Sequence, residues 1–435
     1  MFKTLANAFK VKDLRKKILI TLGLLILYRV GCALVCPGFS PEMISGLKES
    51  TEGTTFFSLM NMLSGDALSN GSILALGVSP YITSSIVIQL LTVAIPSLQN
   101  LSRQGEDGRR KISFYTRIAA LVLALAQSIG IVISYKGSID TNYLNMPVWL
   151  IATGIVLILT AGAMFTVWLG ERITQIGIAN GMSMLIFVGI ISSAGSGIEA
   201  AIKQISASNL EGLWSIIIYL AVLVLVFGLI VFMDCSERRV PVKYAKQIKG
   251  RKMYGGQDTF IPIKLNASGV MPIIFATSLL TLPQLVMSIF WPNSNAYYWY
   301  QNYMGTSSWV YIVLLALLIF AFSFFYAQIS FDTDEISRRM QQQGGFVPGI
   351  RPGKTTSDYL RKISRRITLF SAFFLAVIAL IPSLAFKAVP NDIIITSLVS
   401  AFSTTGLMIM VSVALEFDKG LNAQMLMRNY KGFLD

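Results

Sequence analysis

The chain has 435 residues, 54% hydrophobic and 13% charged, with a mean hydropathy of +0.63 and a formal net charge of +14. Soluble domains average about 25% charged residues, so an ordinary soluble globule is excluded and a polytopic all-α membrane protein is indicated. Histidine is absent and cysteine occurs three times, at Cys32, Cys36 and Cys235, which argues against a Ser-His dyad, a metal centre and a disulfide framework.

In chain order, Met1–Lys17 alternates Phe2, Leu5, Phe9 and Leu14 with Lys3, Lys10, Lys12 and Arg15, the pattern of an interfacial amphipathic segment. The apolar run behind it is too long for a cleaved signal peptide and lacks a clear small-residue cleavage site. A span needs about 20 mostly apolar residues. Ten are predicted, at 18–36, 73–95, 115–135, 148–170, 180–198, 212–233, 266–290, 309–330, 367–387 and 392–416. Thr55–Leu68, ahead of the second span, is apolar but too short to cross alone. Basic loops occupy 234–265 and 331–366, and a brief tail covers 417–435.

Charge then sets orientation. Thirty-one of the 36 lysines and arginines fall on the side of the two termini and the large loops. Only Lys48, Lys136, Lys203 and Lys387 fall opposite, and Arg29 sits inside the first span. The positive-inside rule places both termini in the cytoplasm.

The spans divide into five and five, in halves 18–198 and 199–416. The second span of each half carries G-V-x-P: Gly77-Val78-Ser79-Pro80 and Gly269-Val270-Met271-Pro272. An odd number of spans per half inverts one half relative to the other, and Gly/Pro-interrupted segments at matching places point to the working site of a transport protein.

The chemistry of transport is constrained by what the spans lack. Coupled carriers and pumps hold ionisable residues near the midplane, but here Arg29 is the main exception, with Glu171, Asp234 and Asp332 at cytoplasmic ends. Gly349–Lys354 reads "GIRPGK", one residue short of a phosphate loop, so neither ATP binding nor enzyme activity is expected. Thr83, Ser84, Ser85, Gln89, Gln127, Asn266 and Ser268 decorate the spans mildly. They read as interhelical hydrogen bonds, worth about 0.6 kcal/mol each, or as a weakly joined seam that must part. A protein-conducting channel, an inverted-repeat solute carrier dependent on a residue such as Gln89, and a structural scaffold all remain open on these grounds.

"NMLSGDALS", "SPYITSSIVIQLLTVAIPSL", "EDGRRKISFYTR", "WLGERITQIGIANGMSMLIF", "VKYAKQIKGRKMYGGQ", "IKLNASGVMP" and "GGFVPGIRPGKTT" follow one another in this chain. In that order they resemble the SecY family of bacterial protein-export channels, from about Lys16 to Tyr430. The resemblance implies a central hourglass pore in the inner membrane. Its waist ring would comprise Val78, Ile82, Met182, Ile186, Ile274 and Ile409. A narrow apolar constriction dewets and blocks ions; Met182 and Val78 depart from the usual isoleucine, and methionine's extra rotamers loosen the ring slightly. The segment 55–68 resembles the family's plug, with Phe56, Phe57, Met60, Asn61, Met62, Leu63, Ser64 and Gly65 its working residues, and is expected to be weakly anchored. Thr83, Gln89, Gln127 and Asn266 fall at the implied lateral gate, where an apolar signal sequence would lodge. The "SAGSG" loop at Ser193–Gly197 joins the halves as a candidate hinge.

The resemblance also gives the basic loops a purpose, as the docking surface for the SecA motor ATPase and the ribosome with its nascent chain. Pro348, Pro352 and four glycines stiffen "GGFVPGIRPGKTT" and hold Arg351 forward. Arg239, Lys243, Lys246, Arg251, Lys252 and Lys354 add cations suited to ribosomal RNA phosphates or anionic lipids. The implied partners are the SecE and SecG subunits, SecA, the ribosome and polypeptides bearing signal sequences; no cofactor is implied.

Overall fold

The computed structural model describes residues 8–53, 55–102, 104–135, 147–177, 179–207, 213–244, 247–249, 252–254, 259–266, 269–290, 294–304, 308–388 and 404–431. Most are helical. Ahead of the first long helix, α1 (Lys12–Ala33), residues 8–10 are helical, and Lys12 and Arg15–Lys17 lie on the opening turns of α1. Extended Val11 interrupts the helix between them, and residues 1–7 lie outside the described residues. After α1, Leu34 turns extended and Val35 bridges Ser72. α2 (Pro41–Gly53) and the short α3 (Thr55–Ser64) follow.

The predicted second span is a helix only from Ser79: α4 (Ser79–Ala94). Gly77 is left-handed, with φ +52°, and Pro80 occupies the first turn, where its missing N–H costs nothing. α10 (Met271–Phe290), introduced here for comparison, begins in the same way: Gly269 has φ +61° and Pro272 lies in the first turn. Tyr81 and Ile82 donate backbone bonds to Val78, at 3.1 Å each; Ile273 and Ile274 donate to Val270, at 3.1 and 3.3 Å. The repeated G-V-x-P therefore starts helices and does not kink them.

At Pro96 the chain bends by 105° into α5 (Pro96–Ser102). Then come α6 (Glu106–Ser134), with Glu106 and Asp107 in its first turn, and α7 (Val148–Ile176), capped by left-handed Gly177. Gly162 lets α7 press on the chain before α4; a Cβ there would stand 2.2 Å from the Ile73 carbonyl oxygen.

α8 (Gly181–Ala207) corrects the sequence reading. It runs unbroken through Ser193–Gly197, so the expected hinge loop is helix. Mid-helix glycine costs about 0.5–1 kcal/mol, and the Ile198–Ala207 continuation, rich in alanine with Glu199, Lys203 and Gln204, carries the helix on.

α9 (Leu213–Cys235) leads to four strands where only loop was expected: β1 (Glu237–Tyr244), β2 (Gln247–Lys249), β3 (Lys252–Tyr254) and β4 (Thr259–Lys264). After α10, the unforeseen α11 (Asn295–Tyr303) is capped by Ser294, whose hydroxyl accepts from the Tyr297 N–H at 3.2 Å. The remaining elements are α12 (Trp309–Ser330), α13 (Thr333–Gln342), β5 (Gly345–Phe346), α14 (Lys354–Ala388) and α15 (Thr404–Lys431). α14 starts 13 residues before the expected span. α15 runs past 416 through most of the expected tail, while 389–403 lie outside the described residues.

Among the described residues four helices are long and apolar enough to cross a membrane, or five if the bent α4–α5 pair is one span. Shorter apolar helical stretches are Gly181–Gly195, Ala221–Cys235 and Met271–Thr281. The chain divides by contact into two units. One comprises 1–213, 278–308 and 391–435; the other comprises 214–277 and 309–390. The first has a core of Met43, Leu47, Met60, Leu68, Leu76, Ile155 and Leu159, each under 2% exposed. In the second, α12 packs along α14, and Phe275 stacks edge-on to Tyr326 with centroids 4.9 Å apart.

Candidate functional site

In the first unit, α3 ends on Ser64, Gly65 and Asp66. Gly65 and Asp66 are both left-handed, with φ +67° and +65°, and Asp66 is the one non-glycine residue of positive φ among those described. Asn61 makes this turn tolerable: its Nδ2 donates to Asp66 Oδ1 at 3.0 Å, and its Oδ1 accepts from the Ser69 N–H at 2.9 Å. The segment's end is held more firmly than expected. Tyr28 Oη donates to the Ser64 carbonyl at 3.3 Å, and Arg29 Nη1 to the Gly65 carbonyl at 3.0 Å. Met60, Leu63 and Ser64 are buried, and Phe57, Asn61 and Met62 half-buried. The Phe56 side chain lies outside the described residues.

This end seats against the turns that carry the expected ring. A Cβ on Gly77, next to Val78, would stand 3.0 Å from Ser64 Cβ; one on Gly189, a turn beyond Ile186, would stand 2.8 Å from the Leu63 carbonyl oxygen. Val78, Ile186 and Ile409 are buried, and Ile82 and Met182 half-buried, all within the first unit. Ile274 is also buried but belongs to the second unit.

The expected gate residues divide likewise. Thr83 bonds within its own helix, to the Ser79 carbonyl at 3.0 Å, and Gln89 is exposed. Gln127 is 4% exposed, and its Oε1 finds no donor among the described residues. In the second unit, buried Asn266 donates to Asp234 Oδ1 at 2.7 Å, while its own Oδ1 is unmatched among the described residues.

The two basic loops form a single small domain in the second unit. Their sheet has the order β4-β1-β5, all antiparallel, pairing Val240 with Ile261 and Lys243 with Phe346. Val240, Val242, Ile263, Met340, Val347, Leu360 and Ile363 make its core. The alternation in "ERRVPVKY", with valines in and Arg239, Pro241 and Lys243 out, is a strand signal that sequence reasoning passed over. Gly344, Gly349 and Gly353 have φ of +70°, +82° and +98°, a backbone that other residues rarely adopt. The Ser337 hydroxyl donates to the Gly353 carbonyl at 2.7 Å, and the Thr356 hydroxyl to that of Arg351 at 2.8 Å. The loop thus presents Arg351 and Lys354 exposed at its tip. Arg239 is engaged, pairing with Glu237 at 2.9 Å and lying 4.7 Å over the Phe260 ring. Lys246 and Arg251 lie outside the described residues, as does the Lys252 side chain.

Beneath the tip, the Ser357 hydroxyl donates to Asp334 Oδ1 at 2.5 Å and Arg361 to Oδ2 at 3.0 Å. The Ser357 bond foremost, then the Arg361, Arg338 and Lys354 charges, hold the Asp334 carboxyl below its ordinary pKa. A depressed folded pKa means stability that is present above the unfolded pKa and lost as pH falls through the folded one. Ser357→Ala raises that folded pKa, so the acid-induced loosening of this domain, read by limited proteolysis, moves to higher pH.

A family profile described as SecY matches residues 72–417. The chain belongs to the SecY family. It is 40% identical to the SecY protein translocase subunit of Mycobacterium tuberculosis over 458 aligned residues, covering all of both chains. That full-length match includes Thr55–Leu68, which the SecY profile leaves out. Among solved structures, one titled as that of a protein conducting channel matches with a TM-score of 0.66 at 17% identity, over 93% of this chain and 91% of that one. A second concerns the SecY plug domain, described as stabilising the closed state; it has a TM-score of 0.61 at 17% identity, over 92% and 90% of the chains. The third is Sec61 in a canine ribosome–channel complex from the endoplasmic reticulum, with a TM-score of 0.57 at 15% identity, over 93% and 91%. At these identities the structures establish the SecY fold.

Proposed function

We propose that this chain is the central, protein-conducting subunit of a translocase, passing unfolded polypeptides across the cytoplasmic membrane and releasing apolar helices sideways into it. Its family is one of membrane channels and named translocase subunits, not enzymes. The observation that carries the reading is the seating of α3 against Gly77 and Gly189, beside the apolar residues Val78 and Ile186. A short helix lodged at an apolar constriction is a closed pore that needs no charged filter. The matching helix starts at Gly77–Ile82 and Gly269–Ile274 support two inverted halves and a ten-span, hourglass arrangement with cytoplasmic termini.

The basic domain around Arg351 is the docking surface for a motor ATPase such as SecA or for the ribosome, whose RNA phosphates suit its cations. SecE and SecG complete the membrane complex, and anionic lipids meet the basic start of α1. The direct test is reconstitution of the chain with these subunits in vesicles, with SecA, ATP and a signal-bearing substrate outside. Substrate becomes protease-protected if the reading holds; no more protection with active motor and signal sequence than without ATP would sink it.

Gln127 makes a narrower prediction. Its unmatched buried Oε1 carries a desolvation cost of about 1–3 kcal/mol. Gln127→Leu removes that cost and tightens the closed seam, raising the thermal midpoint of the purified complex while slowing crosslinking of a signal sequence to α4. A variant that opens faster contradicts a seam role for Gln127.

A further inference from the structure

Arg29 is the one charged side chain inside the first predicted span. A guanidinium within a membrane helix is costly unless matched. Here it reaches two other elements at once. Nη1 donates to the Gly65 carbonyl at 3.0 Å, at the end of α3, and Nη2 donates to the Ser192 hydroxyl on α8. The last carbonyls of a helix lack partners within it and carry the negative end of its dipole. Tyr28 and Cys32, on the same face of α1, donate to the Ser64 carbonyl beside it, at 3.3 and 3.8 Å.

The surroundings are shaped to this contact. A Cβ on Gly65 would come within 2.5 Å of Arg29 Nη1 and 2.7 Å of the Gly189 Cα. Glycine at both positions lets α1, the end of α3 and α8 meet at one point. The left-handed turn at Gly65–Asp66 aims the carbonyl at the guanidinium.

We propose that Arg29 is the positioning residue that latches the plug closed. Seated, α3 supplies the acceptor that matches this half-buried charge. Withdrawn, it leaves the Ser192 hydroxyl as the acceptor for Arg29 among the described residues, and this mismatch draws α3 back. The latch rests on the reading of α3 as a plug, and its test separates the two.

Single-channel currents are compared in planar bilayers for the assembled complex carrying each of four forms of this chain: intact, Arg29→Met, one lacking Thr55–Leu68, and the two changes combined. A hydrogen bond to a charged group contributes enough for Arg29→Met to raise open probability about tenfold or more. Arg29→Lys, which keeps a charged donor, recovers part of the closure. In the plugless background Arg29→Met adds nothing, a non-additivity that general destabilisation would not produce. If Arg29→Met fails to assemble, Arg29→Gln reads the same way. A folded Arg29→Met or Arg29→Gln that stays as quiet as the intact chain, beside a conducting deletion, overturns the latch and spares the plug. Equal added current with and without α3 also overturns it. A silent deletion removes the plug reading and the latch with it.

Discussion

A chain lacking Thr55–Leu68 is expected to conduct ions in planar bilayers, in large flickering events, where the intact chain stays quiet. α3 buries Met60 and Leu63 and offers its terminal carbonyls to Tyr28 and Arg29. Burying one such apolar side chain is worth about 1.5–3 kcal/mol, and a hydrogen bond to a charged group about as much. Removing the segment therefore shifts the open population by about a hundredfold or more. On the proposed function, the constriction left behind is apolar, so the currents are expected to flicker between wet and dry without selecting ions by charge. Silence from the deletion, in protein shown to be folded and assembled, would instead favour the solute-carrier reading, with uptake dependent on a single polar residue.

Arg351→Glu produces the second large effect: motor- or ribosome-driven translocation falls by at least about thirtyfold, the scale of losing an interface hot spot of ~2 kcal/mol. The thermal midpoint stays put, because the side chain is exposed and the loop's shape comes from Ser337, Thr356 and its glycines. Surface substitutions of this kind are usually within about 0.5 kcal/mol of neutral. Gly353→Ala is the control of opposite character. At φ +98° it strains the loop, so stability and docking fall together. Partner binding by the intact chain also weakens with salt, as exposed charge contacts do. Normal translocation by Arg351→Glu would show that the tip meets neither partner.

Hydropathy made the long helices legible, because a lipid-facing helix must be apolar over its length. Their ends were harder. Gly77 with Pro80, and Gly269 with Pro272, decide where α4 and α10 begin, and backbone conformation, not hydropathy, sets those points. The hinge at Ser193–Gly197 was misjudged because glycine and serine weigh against helix locally while the residues beyond them favour it. The sheet of the basic domain was masked by charge and proline on the exposed face of β1. The work of Arg29 was invisible for another reason. Its partner is a backbone carbonyl 36 residues away, which leaves no side-chain signal in the sequence.

Helix α14 is 35 residues long, about 52 Å at 1.5 Å per residue. A bilayer's hydrocarbon layer is about 30 Å thick, so some 20 Å of this rod stands clear of it. Leu360 and Ile363 clamp that outer portion to the sheet, and Arg351 sits three residues before the rod begins. On the docking proposal, a partner held at the tip therefore acts on the same helix that enters the membrane.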